Sequence, residues 1–309
     1  MTDTPYLIAF NLTHRCNLAC AHCYLDAGIR SGGDTIGLTT FEVKAVFDDI
    51  AALSDETMVV LTGGEPLMRP DLDALARHAA GLGLMVVVGT NGTLLNEARA
   101  ERLMEAGVRG IGISLDSLHP VLPRRVSRCA GKLGAFHGGG GVLPQGGAWS
   151  ADPFLRHRDD TADEFDAMVA FAKAAGAIAL NVFFLVCTGR DEKVTNISVK
   201  TYERLLTRLC EAARNSQGMM IRAKCAPHFK RMALQLDPTW PVTAAHGYEA
   251  GGCMAATRYC RVTPEGEVKT PCPYMEVRPI SCLLDRSGVL VASRQAEHPP
   301  TPSGRRSPR

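Results

Sequence analysis

The sequence predicts an α/β protein built on a parallel sheet. Two observations lead there: short apolar runs alternate with helical periods along residues 6–115, and four successive runs end in glycine or polar residues. In parallel α/β folds, sites gather where the strands end at their carboxyl side.

Residues 6–12 read as the first strand, which delivers a polar loop carrying three thiols. Residues 26–40 are a Gly/Ser/Asp/Thr-rich connection. Thr40 then caps a helix with Phe41, Val43, Val46, Phe47, Ile50 and Leu53 near helical spacing. A second strand over 57–61, a helix over 72–82, a third strand over 84–88, a helix opened by Asn96 and running to 106, and a fourth strand over 110–115 complete the regular part. Regularity returns with a helix capped at Thr161, a long apolar strand over 178–186 and a helix over 199–213.

Between these parts, residues 118–160 hold Arg124-Arg125, two glycine clusters and no sustained apolar period. A fifth strand and the helix before it belong here, so the expectation is a sheet interrupted near its fifth strand. A loop this long in a compact domain is a functional lid or is disordered. Residues 277–309 show a similar shift in composition. A local change of reading frame would give both segments the look of sequence never selected to fold.

The 309 residues suit one large domain or one with an appendage, and 46% hydrophobic content is ordinary for a globular protein. Residues 118–160 hold six Lys/Arg against three Asp, and residues 277–309 six Arg against two acids. The formal charge of +2 therefore comes from these two segments, and the rest is net acidic. Nucleic acid is not an expected partner. No apolar run reaches membrane length, and residues 1–5 carry no basic leader, so the expectation is a cytoplasmic protein without a membrane partner. Eleven cysteines, an odd number, suit metal ligands and free thiols in such a setting better than a disulfide framework.

The chemistry concentrates in Cys16, Cys20 and Cys23, within eight residues of one another. Thiolates so close can converge on one soft centre: an iron-sulfur cluster, zinc or Cu(I). A buried stripe of small apolar side chains is opposed by His14, Arg15, Asn17 and His22, which interleave the thiols. Zinc would close its tetrahedron with a fourth protein ligand. His22 is wedged between two cysteines, and no second pair follows at finger spacing.

Here the sequence resembles the radical S-adenosylmethionine (SAM) enzymes, whose signature is Cys-x3-Cys-x2-Cys after the first strand. The resemblance implies a partial (β/α)6 TIM-like barrel with a [4Fe-4S] cluster on Cys16, Cys20 and Cys23. SAM would sit on the fourth iron, and a 5'-deoxyadenosyl radical would take hydrogen from the substrate. Gly63-Gly64-Glu65-Pro66 resembles the motif that holds SAM's amino group; Ser114 and Asp116, with Asn91 beside them, correspond to positions near its ribose or carboxylate. His22 joins this cofactor-binding set. An electron donor such as ferredoxin or flavodoxin is implied.

In the C-terminal half, Cys225-Ala-Pro-His-Phe precedes a hairpin turning at Pro264-Glu-Gly between residues 259–263 and 267–270. Cys253, Cys260 and Cys272 flank this turn and resemble the start of a SPASM or twitch extension, which implies an auxiliary cluster. Two departures stand against a complete one: Gly266 is followed by five rather than four residues before Cys272, and of the later cysteines only Cys282 remains. The expected organisation is a core over 1–217, a partial SPASM-like extension over 218–276 and a disordered tail over 277–309. The same stretches are most similar to the haem-biosynthesis-like branch, which implies a tetrapyrrole side chain as substrate. A peptide or cofactor maturase is the alternative, and an inactive iron-sulfur or zinc-binding remnant the rival from another class.

Overall fold

The computed structural model describes residues 5–20, 23–25, 27, 37–54, 56–115, 117–118, 148–152, 154–155, 164–184, 197–239, 258–269, 282–284 and 290–292. His22, Asp116, Cys253 and Cys272 lie outside the described residues, as do Thr161 and the Gly-rich run at 138–147.

The predicted alternation is present. It runs β1 (Leu7–Asn11), α1 (Thr40–Leu53), β2 (Met58–Thr62), a 3-10 turn (Pro66–Met68), α2 (Leu72–Gly81), β3 (Met85–Thr90), α3 (Glu97–Glu105) and β4 (Gly110–Ser114). There follow β5 (Ala148–Asp152), β6 (Phe154–Leu155), α4 (Phe165–Ala174), β7 (Ala179–Phe184), α5 (Val199–Asn215), β8 (Met220–Lys224) and α6 (His228–Leu236). A hairpin, β9 (Tyr259–Val262) and β10 (Val268–Lys269), and a separate pair, β11 (Cys282–Leu284) and β12 (Leu290–Ala292), complete the chain.

The main sheet is ordered β10-β9-β1-β2-β3-β4-β5-β7-β6, with β8 beside β7. All its pairs are parallel except the β9–β10 hairpin. Apolar side chains on one face of the strands pack under the helices; Phe10 on β1 meets Phe47 of α1 edge to face, ring centroids 5.5 Å apart. Burying each such ring contributes about 1.5–3 kcal/mol. The other face carries Ala9, Asn11, Thr62, Gly89 and Gly112 beside Val60 and Val87.

Four expectations need correction. A fifth strand exists: β5 pairs with β4 from Gly110↔Ala148 to Ser114↔Asp152, and with β7 through Ser150↔Ala179. β6 pairs with β7 in the same register, at Phe154↔Phe183. A short strand of Ala, Trp, Ser and Asp carries almost no apolar period, so backbone pairing defines it where pattern does not. The expected disordered tail contains the antiparallel pair β11–β12. Thr39, not Thr40, caps α1: its hydroxyl accepts from Glu42 N while Glu42 Oε2 accepts from Thr39 N, the reciprocal box of a helix start. Finally, Glu164 rather than Thr161 precedes α4, without a side-chain cap.

Candidate active site

The cysteine loop leaves β1 pressed against the segment that follows β2. Leu12 N donates to Thr62 O at 2.8 Å, Gly64 N to Thr13 O at 2.7 Å and Glu65 N to Arg15 O at 2.8 Å, so the parallel ladder continues past both strands. A Cβ on Gly64 would stand 2.2 Å from Arg15 O, and one on Gly63, whose φ is +133°, 2.7 Å from Thr13 O. Only glycine allows the backbone of the cysteine loop to come this close.

Within the loop, Cys16 is buried and Cys20 and Cys23 are half-buried; none forms a disulfide. Two sulfurs receive backbone hydrogen bonds, Cys16 Sγ from Leu18 N and Cys23 Sγ from Ala27 N, each at 3.4 Å. Asn91 Nδ2 donates to Cys16 Sγ at 3.7 Å. Burial pushes the Cys16 thiol pKa up, against the lowering effect of the Leu18 N–H.

Glu65 is fully buried at the end of β2. Its Oε1 accepts from Thr90 Oγ1 at 2.7 Å and Leu67 N at 3.0 Å, and its Oε2 from Asn91 N at 2.8 Å. Burial raises its pKa, opposed by those donors. Asn91 lies beside this carboxylate, and Ser114 is half-buried where β4 ends, so the structure places both on the rim that holds the cysteine loop.

Several residues of the rim were not singled out from sequence. Arg69 donates to Leu12 O at 2.8 Å and Leu38 O at 3.0 Å and pairs with Asp71 at 2.7 Å, tying the neck of the cysteine loop to the start of α1. Asp71 also accepts from Thr40 Oγ1 at 2.6 Å. Burial would raise the Asp71 carboxyl, but Arg69 and Thr40 outweigh it and hold it below the usual range. Beyond β4, buried Glu164 accepts from Ser117 Oγ and Leu118 N, each at 2.8 Å, fixing the chain after Ser114. Arg-Pro-Asp directly after Gly-Gly-Glu-Pro-Leu-Met was the available signal for the first group; the second has none, since its partners are 47 residues apart.

The C-terminal hairpin closes the site from the β1 side. His14 Nε2 and Glu265 Oε1 are 2.7 Å apart, Leu38 N donates to Pro264 O at 2.8 Å, and β9 pairs with β1 through Ala9↔Arg261. Tyr24, directly after Cys23, donates to Asn11 Oδ1 at 3.1 Å and lies under Arg261, whose Cζ is 5.3 Å from the ring centroid. Cys260 pairs opposite Ile8 and packs against the apolar core, on the sheet face away from Arg261.

The comparisons agree with this geometry. Residues 10–130 match the Radical SAM superfamily. An AdoMet-dependent heme synthase of Methanosarcina barkeri is 35% identical over 284 residues, covering 90% of this chain and 79% of that protein. The chain belongs to the radical SAM superfamily. A second AdoMet-dependent heme synthase, from Oleidesulfovibrio alaskensis, is 33% identical over 278 residues, 88% of this chain and 70% of the relative. In fold, the chain is similar to Streptococcus suis SuiB bound to S-adenosylmethionine, with a TM-score of 0.66 at 15% identity; the match covers 89% of this chain and 62% of that one.

Membership implies a [4Fe-4S] cluster and SAM for this radical SAM protein. The donor set fits a cluster: three cysteines on one loop, none in a disulfide, with N–H groups directed at two of the sulfurs. Among the described residues no three His, Cys, Asp or Glu side chains come close enough together to hold a single metal ion. Among the described residues no helix is long and apolar enough to cross a membrane.

Proposed function

We propose that this protein cleaves SAM reductively and removes a hydrogen atom from a carboxylate-bearing side chain of an iron tetrapyrrole, after which the carboxylate leaves as carbon dioxide, a double bond remains and one electron passes to an external acceptor. One observation carries the reading: three cysteines outside any disulfide stand on a loop seated against Gly63-Gly64-Glu65 at the carboxyl rim of a parallel sheet. When bound, the cluster and SAM supply one electron to break a C–S bond and a 5'-deoxyadenosyl radical to take the hydrogen.

The chain's own residues hold and screen these groups. Cys16, Cys20 and Cys23 ligate the cluster, while His22, Gly63, Gly64, Glu65, Asn91, Ser114 and Asp116 border SAM. A carboxylate accepts about four hydrogen bonds. Glu65 uses three of them within the protein, which leaves one acceptor position for SAM's ammonium group. The substrate class rests on the heme synthase relatives and on charge: Arg222 and Lys224 of β8 and Arg261 of β9 share the sheet face opposite the helix-covered core. Three cations on the two ends of the sheet suit a substrate with several carboxylates. Residues 1–217 form the core of this assignment and 218–276 a partial SPASM-like extension. The electron comes from a ferredoxin or flavodoxin of the cytoplasm.

The test is anaerobic turnover of reconstituted protein with SAM, a reductant and an iron coproporphyrin, followed by mass spectrometry. A product lighter by the mass of carbon dioxide and two hydrogens per modified side chain supports the reading. Unchanged porphyrin in the presence of active SAM cleavage overturns the substrate assignment.

A further inference from the structure

We propose that Asn91 is a positioning residue whose side-chain amide sets the reduction potential of the cluster through its hydrogen bond to Cys16; this rests on the cluster assignment above. The orientation of the amide is determined by its partners. Thr93 N, which can only donate, points at Asn91 Oδ1 at 2.9 Å, and Thr93 Oγ1 donates to the same oxygen at 2.6 Å. The opposite end must therefore be the nitrogen. Its two hydrogens have two acceptors, Asn17 Oδ1 at 2.9 Å and Cys16 Sγ at 3.7 Å. Asn17 Nδ2 closes the circuit by donating to Thr93 Oγ1 at 2.7 Å.

This arrangement is held from both sides. Glu65 fixes the backbone of Asn91, and Asn17 lies directly beside Cys16 in the cysteine loop. The amide cannot rotate away from the sulfur without losing several hydrogen bonds. Reduction adds one electron whose charge spreads onto the ligating sulfurs, and an N–H dipole aimed at a sulfur favours that state. Leu18 N and Ala27 N act in the same sense from the backbone, whereas Asn91 does so from a side chain that can be exchanged.

The experiment is an EPR-monitored redox titration of the reconstituted protein without substrate, comparing wild type with Asn91→Ala and Asn91→Asp. Asn91→Ala should lower the reduced-to-oxidised ratio at fixed potential about tenfold, a midpoint about 59 mV more negative for a one-electron couple. Asn91→Asp, which places a carboxylate where the donor was, should move it further in the same direction. If Asn91→Ala assembles too little cluster to titrate, Thr93→Val carries the test: it keeps the Asn91 amide but loosens its orientation, and a smaller negative shift is expected. An unchanged midpoint in variants with full cluster content overturns the proposal alone. Wild-type protein that assembles no cluster overturns the assignment beneath it.

Discussion

Glu65 Oε2 accepts the backbone N–H of Asn91 at 2.8 Å, so the carboxylate that ends β2 holds the end of β3. Glu65→Gln would turn an NH2 group toward one of three fixed donors and leave a buried N–H or O–H unpaired. The expected cost is about 1–3 kcal/mol in urea unfolding. Burial raises the folded-state pKa above the ordinary 4.5, so the wild-type proton contribution is full below that value and is lost as pH rises through the raised one. The difference between wild type and variant should therefore be larger near pH 4 than at pH 7.

Asp71→Asn should show the opposite pH dependence. Its folded-state pKa lies below the ordinary 3.8, so its contribution is present above that value and lost as pH falls through the lowered one. At neutral pH the variant removes the anionic partner of Arg69, whose side chain is only 12% exposed, and should cost about 2 kcal/mol. As pH falls through that lowered value the two proteins should converge.

Two glycine substitutions separate close approach from ordinary helix propensity. Gly64→Ala puts a methyl group 2.2 Å from Arg15 O and must displace the cysteine loop; iron incorporation should fall several-fold, read by iron and sulfide analysis. Gly81→Ala, at the end of α2 with nothing within 4 Å, should retain full iron content and gain about 0.5–1 kcal/mol in stability.

Thiol reactivity should divide the cysteines. Cys210 is buried in α5, and burial pushes its pKa up to about 12, so it should resist alkylation in folded, iron-free protein at pH 8. Cys225 is exposed and should label within minutes by peptide mapping.

Much of the core was legible in the sequence because it obeys period. The strands from β1 to β4 and the helices from α1 to α3 each carry an apolar face, and Asn96 accepts from Arg99 N as a cap should. Where period fails, reading fails: β5 is a run of Ala, Trp, Ser, Ala and Asp without apolar alternation, and β11–β12 lies in an Arg- and Pro-rich tail. Long-range contacts were equally silent. Nothing local says that Gly64 faces Arg15, that Glu265 reaches His14 across 251 residues, or that β9 adds to the sheet beside β1. The cysteine triplet and Glu65 were visible as types at a spacing; the amide of Asn91 aimed at Cys16 became visible only when β3 was placed beside the loop.

The most direct measurement is the yield of 5'-deoxyadenosine from anaerobically reconstituted protein with SAM and dithionite. The expected result is product in wild type, none in Cys20→Ala, and about four iron and four sulfide per chain at the N-terminal site of the wild type. A protein that binds one zinc without sulfide, or yields the same trace of product with and without Cys20, would contradict the central assignment.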